Sequence, residues 1–210
     1  VDVELAPVDL PEVRGFVERA FRPQAEHKGL ELRVEVVPGL PAEIVTDGRR
    51  LQQILRNLLS NAMKFTAHGS VELTMGPAPR GLQGRPDDGR PMVAFTVRDT
   101  GIGIAPDKLA MIFEAFQQAD GTTSRKYGGT GLGLSISKEL ARILGGRIAV
   151  ASELGAGSVF TLLLPDELPS VTAAAARMLP RHVSTETVAA APPTASPHRD
   201  RPILRAGSGS

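Results

Sequence analysis

Asp99-Thr100-Gly101-Ile102-Gly103-Ile104 leads, after a polar stretch, to Gly128-Gly129-Thr130-Gly131-Leu132-Gly133-Leu134-Ser135, and this pair of strings decides how the rest of the chain is read. The first follows an apolar, β-branched run, Met92 to Val97, and so sets a carboxylate and a tight turn at the exit of a strand. The second opens directly into a helical pattern. A glycine loop feeding a helix N-terminus presents free N–H groups and the positive end of the helix dipole to an anion. With an acceptor at one end and amide donors at the other, the strings read together as a nucleotide site, the base at the first and phosphates at the second.

Working outward, Asp47 is placed to cap a helix whose apolar stripe is Leu51, Ile54, Leu55, Leu58, Leu59, Ala62 and Met63. Before it, Leu10 to about Lys28 repeats apolar residues at Leu10, Val13, Phe16, Val17 and Ala20, an amphipathic helix stopped near Gly29, with Pro23 expected to kink it or end it early. Leu30 to Val37 alternates as a strand with one buried face, and Glu43 to Thr46 is a short strand. Strands at Ser70 to Met75 and Met92 to Val97 flank Gly76 to Pro91, a Gly-, Pro-, Arg- and Asp-rich hairpin connection. A short helix is expected over Pro106 to Ala115. A long one spans Leu132 to Leu144, with Leu132, Ile136, Leu140, Ile143 and Leu144 on one side and Gly145-Gly146 at its end. Strands at Arg147 to Ser152 and Ser158 to Leu164 finish a core read as an α/β sandwich, with helices on one face of a mixed sheet.

The 210 residues divide into a domain over 1–168 and a tail over 169–210 whose Ala, Pro, Ser, Thr and Arg show no periodicity, the composition of a disordered linker; within it Thr172 to Leu179 has the makings of a transient helix. An apolar share of 41% supports a packed core, and a net charge of +1 gives no reason to expect nucleic acid or an acidic membrane as partner. Cysteine is absent, which excludes disulfides, thiolate metal sites and cysteine nucleophiles. No apolar run reaches the roughly 20 residues that span a bilayer, and no signal peptide opens the chain, so the segment is expected to be soluble, without membrane contact and cytoplasmic, though its parent is free to be membrane-anchored. The sequence starts without methionine, inside a strand-like run from Val1 to Leu5, as a piece of a longer protein does.

Asn57, Asn61 and Lys64 fall at i, i+4 and i+7 on one helix face. Amide oxygens are hard ligands suited to Mg2+, and a lysine one turn on meets phosphate as a point charge. An ordinary solvated face has the same spacing, and only the two glycine strings favour the ligand-binding reading. Asp99 is good turn chemistry in its own right, yet it follows a buried-strand pattern and so sits at the rim of a core pocket. An acceptor there takes a hydrogen bond from the exocyclic amine of adenine and repels the carbonyl of guanine, which predicts ATP over GTP. The second string is neither a Walker A loop, since no Gly-Lys-Ser/Thr follows, nor a dinucleotide fingerprint, since its glycines fall at 129, 131 and 133.

The ordered set of the Asn helix, Leu51 to Thr66, the DTGIGI turn, Phe113-Glu114-Ala115-Phe116 and the GGTGLGLSI loop resembles the catalytic ATP-binding domain of sensor histidine kinases, within the superfamily of gyrase, heat-shock chaperone and mismatch-repair ATPases. The resemblance covers roughly Val3 to Pro165, and from Phe113 to Gly146 it is most like hybrid kinases. It implies the Bergerat fold, a two-layer α/β sandwich with a mixed, mostly antiparallel sheet and three main helices on one face. It further implies Asn61 as the Mg2+ ligand with Asn57 as helper, Lys64 on phosphate, and Phe65 packed on adenine. Asp99 would hold the adenine amine, with Gly101, Gly103 and Ile104 as pocket wall and Ser158 joining through water. Gly129, Thr130, Gly131, Leu132 and Gly133 would give backbone amides to the phosphates. Gln117 to Gly128 would be a mobile lid with Arg125 and Lys126 as phosphate contacts. Phe113 and Phe116 fit as lid anchors, though packing alone explains them equally.

In that family the acceptor histidine lies on an upstream dimerisation domain, in a motif of His, an acidic residue, Arg, Thr and Pro. None of His27, His68, His182 and His198 stands in such a context. ATP-hydrolysing relatives carry a glutamate one turn before the metal asparagine; Asn57 stands there, and its amide cannot take a proton. The resemblance therefore implies a kinase domain that holds Mg-ATP for a histidine on a separate dimerisation domain, with a receiver domain or response regulator as the next partner. A regulatory nucleotide-binding module without phosphotransfer and a serine kinase acting on a regulator protein are the alternatives.

Overall fold

The computed structural model describes residues 3–79, 91–109, 111–113 and 132–166. All lie within residues 1–170, the first of the two units into which the chain divides, the second being 171–210. Helix α1 (Leu10–Lys28) starts where the Asp9 side chain accepts from the Glu12 N–H and stops at Gly29, which takes the left-handed conformation that favours glycine. It runs through Pro23, so the helix does not end early there. Pro23 is exposed, so water can take the carbonyl that its missing N–H leaves free. Its buried line is Leu10, Val13, Val17, Phe21 and Ala25. Ala20, expected on that line, is exposed, because the helical period carries the core face past it to Phe21.

Helix α2 (Gly48–Phe65) buries all seven residues of its predicted stripe. Each of its buried Leu, Ile and Met side chains contributes about 1.5–3 kcal/mol relative to exposure. Asp47 caps it as expected, accepting from the Arg50 N–H at 3.1 Å and from the Arg50 guanidinium at 3.0 Å. Beyond Asp99 a single turn of helix, α3 (Pro106–Leu109), is followed by a turn through residues 111–113, shorter than the sequence pattern implied; residues 114 and 115 lie outside the described part. Helix α4 (Gly133–Ile143) ends at Leu144 and Gly145, the latter at φ 70°.

Five strands form the main sheet in the order β2 (Glu31–Val36), β4 (Ser70–Pro77), β5 (Met92–Asp99), β7 (Gly157–Pro165) and β6 (Arg147–Glu153). Only β2 and β4 run parallel; every other pairing is antiparallel, so the sheet is mixed and mostly antiparallel. A separate ribbon pairs β1 (Ala6–Asp9) with β3 (Glu43–Thr46). The first strand therefore lies after the expected Val1 to Leu5: residues 3–5 form none, because the partner β3 reaches back only as far as Ala6. One apolar cluster joins the inward residues of α1, α2 and α4 to Val71, Leu73, Val93, Phe95, Val97, Leu162 and Leu164 on one sheet face. On the opposite face β2 turns out Glu31, Arg33 and Glu35. Among the described residues no helix is long and apolar enough to cross a membrane.

Candidate nucleotide-binding site

The site lies where the apolar face of the sheet changes chemistry. Across β5, β7 and β6 the register stacks Phe95 with Leu162 and Ile148, then Val97 with Phe160 and Val150. The next rung on that face is Asp99, Ser158 and Ser152. Asp99 and Ser158 are each only 6% exposed. A polar group at such depth needs partners. Asp99 Oδ1 accepts from the Gly101 N–H at 2.9 Å, and the Ser158 backbone N–H also donates to the carboxylate. Burial nevertheless dominates and pushes the Asp99 carboxyl above the ordinary carboxylate range, the two amides only partly opposing it.

The DTGIGI turn is fastened from several sides. Ile102 N–H donates to Phe65 O at 3.2 Å, tying the turn to the end of α2, and Gly155 N–H donates to Ile102 O at 2.7 Å. Gly103 sits at φ 67° against the Glu153 carbonyl, where a Cβ would overlap backbone, so only glycine fits. Ile104 N–H donates to Ser152 Oγ at 2.8 Å, and its side chain packs on the core.

From α2, Asn57, Asn61, Lys64 and Phe65 are all half-buried on the face beside the apolar stripe. The Lys64 ammonium lies 4.9 Å from the centre of the Phe65 ring. Asn57 Nδ2 donates to Ser137 Oγ at 2.8 Å, which joins α2 to α4. A Cβ on Gly133 would overlap Asn57 Oδ1, so glycine is what lets the start of α4 come this close. Unlike α1 and α2, α4 has no side-chain cap: Leu132 occupies that position with only its backbone, so among the described residues no capping side chain takes the first-turn N–H groups.

The buried line of α4 is Ser137, Ala141 and Leu144. Ile136, expected on the core side, is 44% exposed, while Leu132, Leu140 and Ile143 are half-buried. The helix packs through its small residues because its close approach to Asn57 fixes its rotation. Phe113 is partly buried on the core, with the Lys138 ammonium 5.5 Å from its ring centre. Arg125, Lys126, Gly129, Thr130, Gly131, Phe116 and the lid from Gln117 to Gly128 lie outside the described residues.

Ser137, Ser152 and Lys28 were missed from sequence. Lys28 Nζ donates to Met63 O and, at 3.0 Å, to Thr66 O, taking up carbonyls at the end of α2. Ser137 stands four residues after Gly133, on the face the small residues mark; that spacing was its only signal. Ser152 became visible only through the strand register.

Residues 46–168 match the family described as Histidine kinase-, DNA gyrase B-, and HSP90-like ATPase. The chain is 42% identical over 171 residues to the autoinducer 2 sensor kinase/phosphatase LuxQ of Vibrio cholerae, covering 81% of this chain and 19% of LuxQ. It is 41% identical over 172 residues to the aerobic respiration control sensor protein ArcB of Escherichia coli, covering 81% and 21%. It is 43% identical over 145 residues to hybrid signal transduction histidine kinase B of Dictyostelium discoideum, covering 69% of this chain and 7% of that one. The chain thus spans about a fifth or less of these relatives. Among solved structures, full-length ShkA in complex with AMPPNP superposes with a TM-score of 0.64 at 41% identity, over 79% of this chain and 32% of that one. The nucleotide-free catalytic domain of histidine kinase ThkA shares the fold, with a TM-score of 0.62 at 24% identity over 79% of this chain and 99% of that one. The match runs from β3 through β7 and takes in Asn57, Asp99, Gly133 and Ser158 alike: the chain belongs to the histidine kinase-, DNA gyrase B- and HSP90-like ATPase family.

Proposed function

We propose that this chain binds Mg-ATP and donates the γ-phosphoryl group to a histidine on a separate dimerisation domain, as the catalytic part of a histidine kinase. The observation that carries the reading is the buried carboxylate of Asp99, a fixed acceptor at the rim of an apolar floor. It fits the exocyclic amine of adenine. The uncapped start of α4 lies next to Asn57 and offers amides to the phosphates, with Lys64 as a nearby cation on α2. Asn61 makes no side-chain hydrogen bond to a described residue, and its amide oxygen is a hard donor, so it fits Mg2+. The ion, when bound, supplies charge neutralisation on phosphate oxygens.

In the transfer, the bond from the γ-phosphorus to the bridging oxygen breaks, a nitrogen–phosphorus bond forms on the acceptor imidazole, and ADP leaves. The share of these residues is positioning and charge stabilisation. Asn57 supports transfer over hydrolysis. It has no basic atom, and its amide is engaged by Ser137, so no group on α2 stands ready to activate water. Gly129, Thr130 and Gly131 would add loop amides, Arg125 and Lys126 lid cations, and Phe65 a surface for the base. The hybrid kinase among the relatives supports a receiver domain as the next recipient.

Radiolabelled ATP, incubated with this chain alone and with the cognate dimerisation domain, tests the proposal. The expected result is slow hydrolysis and no self-labelling alone, then labelling of the added domain. Nucleotide binding without transfer to an authentic acceptor would favour a regulatory module, and stable self-labelling would mean that one of the four histidines is an acceptor.

A further inference from the structure

Ser152 Oγ meets three groups at once: Ile104 N at 2.8 Å, Gly157 O at 2.9 Å and Ser158 Oγ at 2.9 Å. A hydroxyl has one proton to give and two lone pairs to receive with. The Ile104 amide can only donate, so it occupies one lone pair. The Gly157 carbonyl can only accept, so it takes the single Ser152 proton. What remains on Ser152 is one lone pair. The Ser152–Ser158 bond therefore has one possible direction: Ser158 donates and Ser152 accepts.

Ser158 is directly opposite Asp99 in the β5–β7 register, on the same sheet face, and both are buried. Side chains so paired lie within about 4.5–5.5 Å at Cβ. We propose that Ser152 is a specificity-determining positioning residue: by taking the Ser158 proton, it makes Asp99 and Ser158 a pair of acceptors that admits an amine at the purine 6-position and rejects a carbonyl. This rests on the proposed reading of the site as an ATP pocket with the base at Asp99. It adds a second discriminating atom and names the residue that sets its polarity. Without Ser152 Oγ the Ser158 hydroxyl turns freely and can offer its proton to a purine carbonyl, which lifts part of the rejection.

The test compares ATP with ITP, whose base carries a carbonyl at that position, by calorimetric titration of the whole chain and its variants. The unmodified chain should prefer ATP. Ser152→Ala should narrow the ATP:ITP affinity ratio about five-fold, the worth of one ordinary hydrogen bond. Ser152→Thr, which keeps a hydroxyl, should restore it. A purely structural role for Ser152 would weaken ATP and ITP together and leave the ratio unchanged, and that outcome overturns the proposal. Should Ser152→Ala fail to fold, Ser158→Ala gives the same reading by removing the second acceptor, and an unchanged ratio there also overturns it. Failure of the unmodified chain to bind ATP, or full ATP binding by Asp99→Asn, would instead remove the underlying reading of the site.

Discussion

Asp99 combines two opposing demands. The hydrogen bond proposed to the adenine amine is strongest to an ionised carboxylate; burial disfavours that form, and the proton affinity of Asp99 is raised accordingly. Between the ordinary carboxyl value, 3.8, and the raised value in the folded chain, the folded form holds a proton that the unfolded form has released. Stability should therefore fall as pH rises through that window, and Asp99→Asn should flatten the slope. Denaturant midpoints measured against pH for both proteins check this. Nucleotide binding should respond in the opposite sense. A bound amine favours the ionised form, so ATP affinity should weaken as pH is lowered into the same window, with proton release on binding. At neutral pH, Asp99→Asn replaces a charge-assisted acceptor with an amide that can turn a donor toward the amine, a loss of about 1.5–3 kcal/mol or roughly ten- to hundred-fold in affinity. Unchanged ATP affinity in that variant would move base recognition to another residue.

At the scale of elements, the joint between α2 and α4 forms the end of the site proposed for the phosphates. Gly133 lets α4 approach, and the Asn57–Ser137 bond fixes where it stops. Gly133→Ala has to push Asn57 aside or lift α4 from α2. It should weaken ATP binding by ten-fold or more on the order of a lost close contact and its hydrogen bond, while the far-UV spectrum stays that of the folded chain. Titration alongside circular dichroism checks both, and equal affinity would show that the joint tolerates separation. This joint also explains what the sequence hid. The stripe of α2 was legible because seven apolar residues at helical spacing leave one face to bury. The α4 face was not, because it is chosen by small residues against a glycine contact, and Ile136 outweighs Ser137 in any hydrophobic count. The placing of Asp99 at the exit of β5, of Asn57 on α2 and of the tight DTGIGI turn was legible because each follows from pattern local in the chain. Ser152 was not, since its partners come from Ile104 on one side and β7 on the other.

Across the whole molecule, order of opening should follow the topology. Strand β5 is paired on both sides, by β4 and β7, and carries Phe95 at the centre of the core. The β1–β3 ribbon has two strands, and three of the four β1 residues are exposed. Hydrogen exchange should be slowest in β5 and β7 and fastest in β1, with AMPPNP adding protection at residues 99–104. Uniform exchange through both sheets would contradict this ranking. The strand order has a further consequence, in time. Strand β7 is the last of the described strands yet stands between β5 and β6, so β6 has no neighbour in the described sheet until β7 arrives. A chain emerging from the ribosome in sequence order holds Asp99 and the whole of α2 long before Ser158 is made. The pocket proposed for the base cannot be completed during synthesis of the earlier strands, and on that reading the newborn domain gains its ATP site only when β7 slides into the gap.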